Sequence, residues 1–561
     1  MHFFINRDTL RKHKLILSIT LLNILSYYFC LAQTNTVGVI SSPFPTEGYN
    51  LLYPHNQSSI YLLNNCGEIV KEWENEPTTR PGNIVYLLEN GNLVIAKKDL
   101  ADSTYTFGAG GAGGIIEWKN WENESLAKFS FIDENVRAHH DIEPLPNGNV
   151  LAIVWEKKTS AVILQAGIDT TLHDLGELWP DAILELDPLT EEIVWEWHAW
   201  DHLIQEYDNT KSNYGDVSSH PELIHLNFDI SEDVLIRPDW MHTNSISYNE
   251  DLDQILISVP NFNEIWIIDH STTTLEAAGH SGGNSKKGGD LLFRYGNPKA
   301  YKKENFSDQK CFFQHDAKWI DVDQNSKYHG MISYFNNRVD NAISQVNIIK
   351  PYYEDDNKNY KMEDNEFIIT TENYTLKHPS KTIFSSGLSS AQVLWNNNIL
   401  VLSGREGYAF ELNDENEIVW EYEIPLDNGV PVEQGATDIN NVAFRIAKYP
   451  TSFSAFEDRE LSPKGFIELS PNTNYCRTST EDSPAISINI FPNPTTSGFV
   501  NFHLDRELEG PVYLYNAMGV ISRTFRAKNQ NHKIYIGDLE TGLYFFASRR
   551  LVLGKVLLLD K

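Results

Sequence analysis

The sequence predicts an all-β protein: a six-bladed β-propeller over residues 33–471, followed by a small C-terminal β-sandwich. Three observations carry this expectation. Two short phrases recur along the middle of the chain, long helical periodicity is scarce, and a polar break after residue 471 separates the middle from a final run of short strands. The chain has 561 residues, of which 41% are hydrophobic and 12% aromatic, too rich in both for a disordered polymer. Charge divides it in the same way. Its 77 acidic and 45 basic residues give a net charge of −32, but residues 1–32 and 483–561 are each net positive, so the acid lies in the middle. A chain so poor in surplus Lys and Arg is not built to neutralise phosphates over a broad surface, so nucleic acid is excluded as a partner.

The first element is a targeting segment. Arg7, Arg11, Lys12 and Lys14 precede an apolar run from Leu15 to Leu31, which ends at Ala32-Gln33. A charged region, an apolar region and a small residue at the cut describe a secretory signal peptide over residues 1–32. The other reading, a membrane anchor, meets a run shorter than the ~20 apolar residues of a span. After cleavage Cys66, Cys311 and Cys476 remain, too few for a disulfide scaffold; one pair and three free thiols are both open.

The middle is repetitive. One phrase is a strand ending in an aromatic residue: Gly67–Trp73, Gly114–Trp118, Glu192–Trp197 and Glu417–Tyr422. The other is a tight turn leading into an apolar strand: Asn90-Gly91-Asn92, Asn147-Gly148-Asn149 and the altered copy Asn396-Asn397-Asn398. Asn-Gly supplies the positive φ angles of a hairpin, and the flanks are β-branched or alternate. Units of this kind, spaced by tens of residues without linker breaks, predict propeller blades rather than an array of sandwiches. Insertions fall at 205–235 and 275–310.

Residues 472–485 are polar and read as a linker. Beyond them, short strands are expected at Ile486–Phe491, Phe499–Leu504, Val512–Asn516, His532–Ile536 and Gly542–Ala547. Phe491-Pro492-Asn493-Pro494 opens this tail and Leu539-Glu540-Thr541-Gly542-Leu543-Tyr544-Phe545 closes it, before a basic, apolar end. Residues 486–561 thereby resemble the type A C-terminal sorting domain of the type IX secretion system of Bacteroidetes, although Lys555-Val556-Leu557 stands where that family has a more lysine-rich strand. The resemblance implies the type IX machinery as a partner and passage through the periplasm and outer membrane to the cell surface or the medium.

Three of the 18 histidines stand in matching contexts. They are His140 in His139-His140-Asp141, His242 in Trp240-Met241-His242-Thr243-Asn244-Ser245, and His315 in Gln314-His315-Asp316-Ala317. Each precedes an apolar strand by a similar distance, so equivalent places in successive blades would let the imidazoles converge at the axis. Converging imidazoles admit a metal site, with zinc favoured by three His ligands and an open position. They equally admit metal-free chemistry, with one neutral His as nucleophile and its neighbours stabilising charge.

Four segments then carry a specific resemblance: His139-His140-Asp141, Trp240–Ser245, Asp290-Leu291-Leu292-Phe293-Arg294-Tyr295-Gly296-Asn297-Pro298 with the later Gln314–Ala317, and Asn441–Pro450. Over roughly 40–470 the chain resembles the bacterial arylsulfotransferase family. The resemblance implies sulfuryl transfer from an aryl sulfate ester to a phenolic acceptor, without a nucleotide sulfate donor and without a cofactor or metal. It implies His315 as a nucleophile that is transiently sulfated, His242 and Asn244 as ligands of the sulfuryl oxygens, and His140 in proton transfer. One departure stands out. The family often has an arginine at the end of the strand after the second His, where Pro260 or Asn261 stands here. Arg338, Arg294 and Arg405 are the candidate replacements, Arg338 foremost. Two other functions stay open on the sequence: a non-catalytic surface propeller that binds glycan or protein, and a metal-dependent hydrolase or lyase.

Overall fold

The computed structural model describes residues 35–472 and 488–559, apart from 102–106, 173–175, 229–237, 304–308, 341, 355–357, 497, 505–510, 517–520, 527–530 and 549–550. The expected signal peptide and nearly all of the expected linker lie outside the described residues. The chain forms two compact units, Met1–Cys476 and Arg477–Lys561.

The first unit is all-β, as the repeats predict. Its main sheets are antiparallel and have four or five strands each. In chain order, sheet one holds Tyr49–Pro54, Ser59–Leu63 and Ile69–Glu74; sheet two spans Thr79–Ser130; sheet three spans Val136–His198; sheet four spans Ser245–Tyr295; sheet five spans His315–Leu376; sheet six spans Ser390–Glu423. The late strand Ala443–Tyr449 joins sheet one beside Tyr49–Pro54, and the early strand Gly38–Ser41 joins sheet six beside Ile418–Glu423. An early and a late strand of the first unit are thus each sewn into the other end's sheet.

One edge strand of each sheet faces its neighbours: Ala443–Tyr449, Thr79–Leu87, Val136–Pro144, Ser245–Asn249, His315–Trp319 and Ser390–Val393. These inner strands touch one another in that order and close on themselves as a ring. This is the arrangement of a propeller, in which sheets pack face to face around an axis and only short strand edges remain.

The recurring phrases have distinct places in it. Asn90-Gly91 and Asn147-Gly148 turn an inner strand into its hairpin partner, with φ of 86° at Gly91 and 91° at Gly148; Asn397 does the same in sheet six at φ 68°. The aromatic ends fill the layers between sheets: Trp73, Trp197, Trp420 and Tyr422 are at most 1% exposed. Trp197, for example, packs with Ile257, Trp266 and Leu291 of the next sheet. Burying a side chain of this size contributes about 1.5–3 kcal/mol or more, and the between-sheet layers are made of such residues.

Of the two open cysteine readings, Cys66 is disulfide-bonded while Cys311 is a buried free thiol. Among the described residues no helix is long and apolar enough to cross a membrane.

The second unit has two sheets. Ile488–Phe491, Phe499–Leu504 and Asn531–Tyr535 form one; Ile521–Arg526, Pro511–Asn516, Gly542–Ser548 and Leu551–Leu558 form the other. Val500, Phe502, Val512, Leu514, Phe546 and Val556 make its core. The strands Ile521–Arg526 and Leu551–Leu558 are additional to those expected from sequence.

Candidate active site

The inner strands are bulged at equivalent places. Extra residues fall at Gly82–Ile84, His139–Asp141, Asp316–Ala317 and Phe444–Arg445, each opposite a shorter stretch of the paired strand. Asn83, His140 and Asp316 take left-handed backbone there, with φ of 113°, 52° and 52°, and His242 does so at 58° just before its inner strand. A bulge re-aims side chains, and left-handed backbone outside glycine costs of order 1–3 kcal/mol. That cost recurs here where the histidines must turn inward.

His140 in the bulge of its inner strand, His242 just before its own and His315 at the start of its own come together. The rings of His140 and His242 are 4.4 Å apart at 75°. Phe313 lies between His242 and His315, at 6.2 Å and 5.9 Å, and Phe444 between His140 and His315, at 6.2 Å and 6.4 Å. His140 and His315 are each 3% exposed.

His315 has a fixed tautomer. Its Nδ1 is 2.9 Å from Asn337 Oδ1, while Asn337 Nδ2 donates to the carbonyls of Ser385 at 2.9 Å and Leu388 at 3.0 Å. Asn337 therefore presents only its acceptor, so Nδ1 carries the hydrogen and Nε2 keeps the lone pair. Burial, with the charge of His242 acting in the same direction, pushes His315 down to about 3 against the Asn337 hydrogen bond, so the ring is neutral near neutral pH.

His140 is held by a second chain of contacts. Its Nδ1 is 2.8 Å from His139 Nδ1, and His139 Nε2 is 3.3 Å from Asp181 Oδ1. The His139 ring stacks on Trp155 at 3.9 Å. Burial, reinforced by His242, His139 and His315, holds His140 well below the usual imidazole range. His242 Nδ1 donates to Asp239 Oδ2.

Asn244 is fully buried, and its Nδ2 donates to the carbonyl of Gln314 at 2.8 Å. It ties the His242 turn to the residue before His315. Of the three arginines, Arg294 lies in the outer strand of sheet four, closed into a buried pair with Glu264, and donates to the carbonyls of Pro221 and Leu223. It is a structural cation and does not replace the missing guanidinium. Arg338 instead stacks on Phe313, 3.8 Å from guanidinium carbon to ring centre, donates to the Ser386 carbonyl, and its charge acts on His315. Arg405 adjoins the same wall: a Cβ on Gly387 would lie 3.8 Å from His315 Cε1 and 4.0 Å from Arg405 Nε. Asn261 donates to the backbone carbonyl of Asp239 at 2.9 Å, so the position of the expected arginine braces the main chain just before His242.

Three features lay outside the sequence reading. One is Asn337. The second is the glycine-rich loop Phe107–Gly114, which packs over the histidines: a Cβ on Gly111 would fall 2.1 Å from His140 Cε1 and Nε2. Its run of Gly and Ala was the available signal. The third is a polar network beneath the site. Arg445 donates to Asp141 at 3.0 and 2.8 Å and pairs with Asp316 at 2.8 Å; it also donates to Tyr86 Oη at 2.9 Å. Asp141 accepts from the Ile246 amide at 3.1 Å, and Asp316 from the Ala391 amide at 2.9 Å. These partners belong to all six inner strands. Two carboxylates thus share one guanidinium beneath the site, while Arg338 and Arg405 border it from the side of His315.

Against this geometry, residues 49–441 match the arylsulfotransferase (ASST) family. The chain belongs to the arylsulfotransferase family. That membership assigns it an aryl sulfotransferase role on small aryl donors and acceptors. Residues 489–550 match the secretion system C-terminal sorting domain, which marks this sulfotransferase for the cell surface or the extracellular space. Among solved structures, a protein of unknown function from Bacteroides caccae aligns at 12% identity and TM-score 0.37, covering 67% of this chain and 93% of that one. Virginiamycin B lyase from Staphylococcus aureus aligns at 10% identity and TM-score 0.30, covering 71% and 87%. At TM-scores this low neither likeness bears on activity. No curated protein matches the chain.

Proposed function

We propose that this sulfotransferase works through a sulfohistidine on His315 and needs no nucleotide sulfate donor. The observation that carries this reading is the Asn337 contact, which leaves Nε2 of a buried, neutral imidazole with its lone pair in the histidine cluster. Nε2 attacks the sulfur of an aryl sulfate; the N–S bond forms, the S–O bond to the aryl group breaks, and an aryloxide leaves. His242, backed by Asp239, supplies positive charge to the sulfuryl oxygens and a proton to the aryloxide. Arg338 is the cation that meets the transferring group in place of the arginine expected near Pro260. In the second half, a phenol gives its proton to His140 and its oxygen attacks sulfur, which releases His315 unchanged; the proton then passes from His140 to His242, 4.4 Å away ring to ring, and returns both to their starting states. Asn244 acts by holding the His242 turn against Gln314 rather than as an oxygen ligand.

The test is direct. The purified protein is mixed with an aryl sulfate alone, and the peptide carrying His315 is weighed by mass spectrometry. A sulfuryl adduct that vanishes when phenol is added is the expected result. Full transfer by His315→Ala would overturn the reading.

A further inference from the structure

We propose a second site, unrelated to sulfuryl transfer: His202, His280 and Asp290 form a binding site for a divalent transition metal of the zinc class. Among the described residues these three offer one ligand atom each, all within 4.8 Å of one another. His202 stands on the single turn Ala199–His202 that follows the outer strand of sheet three, while His280 and Asp290 belong to the insertion before Phe293–Tyr295 of sheet four.

The contacts leave one nitrogen of His202 turned toward the other two ligands. His202 Nε2 is 2.8 Å from the Ala277 carbonyl, which can only accept, so Nε2 carries a hydrogen. His202 Nδ1 is 2.8 Å from Asp290 Oδ1, and His280 Nδ1 is 2.7 Å from the same oxygen, so the three ligand atoms converge on one point. A ligating imidazole that donates its other N–H to a backbone carbonyl is the usual second layer of support around a bound metal.

The surroundings are built rather than incidental. Trp197 lies parallel to His202, 5.7 Å between rings, and donates to the Gly289 carbonyl at 2.7 Å. A Cβ on Gly289 would lie 2.6 Å from His202 Nε2, so the insertion must approach there without a side chain. His202 and Asp290 are buried, while His280 is exposed and borders an open cavity of about 510 Å³ that also reaches His220 and Trp200. Two imidazoles and one carboxylate suit zinc and its neighbours, whereas magnesium and calcium take oxygen sets. Three protein ligands leave a position for water from that cavity. The ion would clasp the insertion of sheet four to the edge of sheet three.

The experiment uses the full chain, dialysed against a chelator, then given zinc alone. Wild type is expected to retain one zinc per chain after gel filtration and to melt at a higher temperature with zinc than with chelator. His280→Ala, at an exposed position, is expected to stay folded by circular dichroism. It should bind zinc at least about 100-fold more weakly, since loss of even a supporting partner costs about 10–100-fold. Asp290→Asn should lose the zinc-dependent melting shift. His315→Ala should keep the zinc, which separates this site from the histidine cluster at the axis. No stoichiometric zinc on wild type, equal binding by His280→Ala, or loss of zinc in His315→Ala would each overturn the proposal.

Discussion

Asn337 Oδ1 accepts the Nδ1 hydrogen of His315 at 2.9 Å because its own amide nitrogen is held by the carbonyls of Ser385 and Leu388. The amide cannot turn over without leaving two carbonyls unpaired in the interior. Asn337→Ala is therefore expected to lower kcat by roughly 100-fold or more while leaving KM for the aryl sulfate nearly unchanged. Asn337→Asp places a carboxylate behind the ring and moves the acid limb of the pH–rate profile upward. An unchanged profile in Asn337→Asp would show that Asn337 only packs.

Burial holds His315 at about 3. Sulfuryl uptake by His315, measured in single-turnover mixing, is expected to continue well below pH 6.5. The same depression makes the folded state the poorer proton binder. Its contribution to stability is present above about pH 6.5 and declines as pH falls toward 3, and His55, depressed to about 4 by burial and Arg405, acts in the same sense. Melting temperature against pH reads this directly.

His270 titrates the other way. Burial opposes its charge, but hydrogen bonds to Asp253 and Glu185 raise it from 6.5 to about 9. Its contribution is complete below about pH 6.5 and is lost as pH rises through 9. His270→Gln should therefore flatten the alkaline limb of the melting curve. If that limb stays steep, the bridge between sheets three and four is not its cause.

Removing Arg445 leaves Asp141 and Asp316 buried without a counter-charge. Breaking a buried pair from one side costs about 3–5 kcal/mol. Arg445→Met is expected to lower the unfolding free energy from denaturant titration by that amount, and Arg445→Met with Asp141→Asn and Asp316→Asn to recover part of it.

Gly111→Ala tests the loop over the site. Its φ of 80° and a Cβ 2.1 Å from the His140 ring predict a loss of transfer activity in a protein that still folds. Gly148→Ala is the control. Its φ of 91° gives comparable backbone strain, but nothing lies within 4 Å, so only stability, by about 1 kcal/mol, should suffer.

The propeller was legible because its signals are local. Asn147-Gly148 sets a hairpin and Trp197 ends an outer strand whatever the rest of the chain does. The three histidines were legible for the same reason, each sitting at one register of a repeated unit. Asn337 was not: a single asparagine on an apolar strand becomes a tautomer lock only when the Leu388 turn of the next sheet folds beside it. Arg445 reaches Asp141 across 304 residues of sequence, a pairing no local pattern encodes. Arg294 misled in the opposite direction, since it stands within a family-like motif yet is fully absorbed by Glu264. In the tail, Leu551–Leu558 read as a basic, apolar end because it shows no alternation, and only its pairing with Gly542–Ser548 makes it a strand.

The seam between the chain's two ends also sets an order of events. Ala443–Tyr449 is the last inner strand to be synthesised, yet it completes the sheet that Tyr49–Pro54 begins and delivers the cation shared by Asp141 and Asp316. A polypeptide halted before residue 443 already contains every histidine of the site, around two bare carboxylates. Turnover should consequently act as a certificate of length: an unfinished copy is expected to stay chemically silent until the circle is shut.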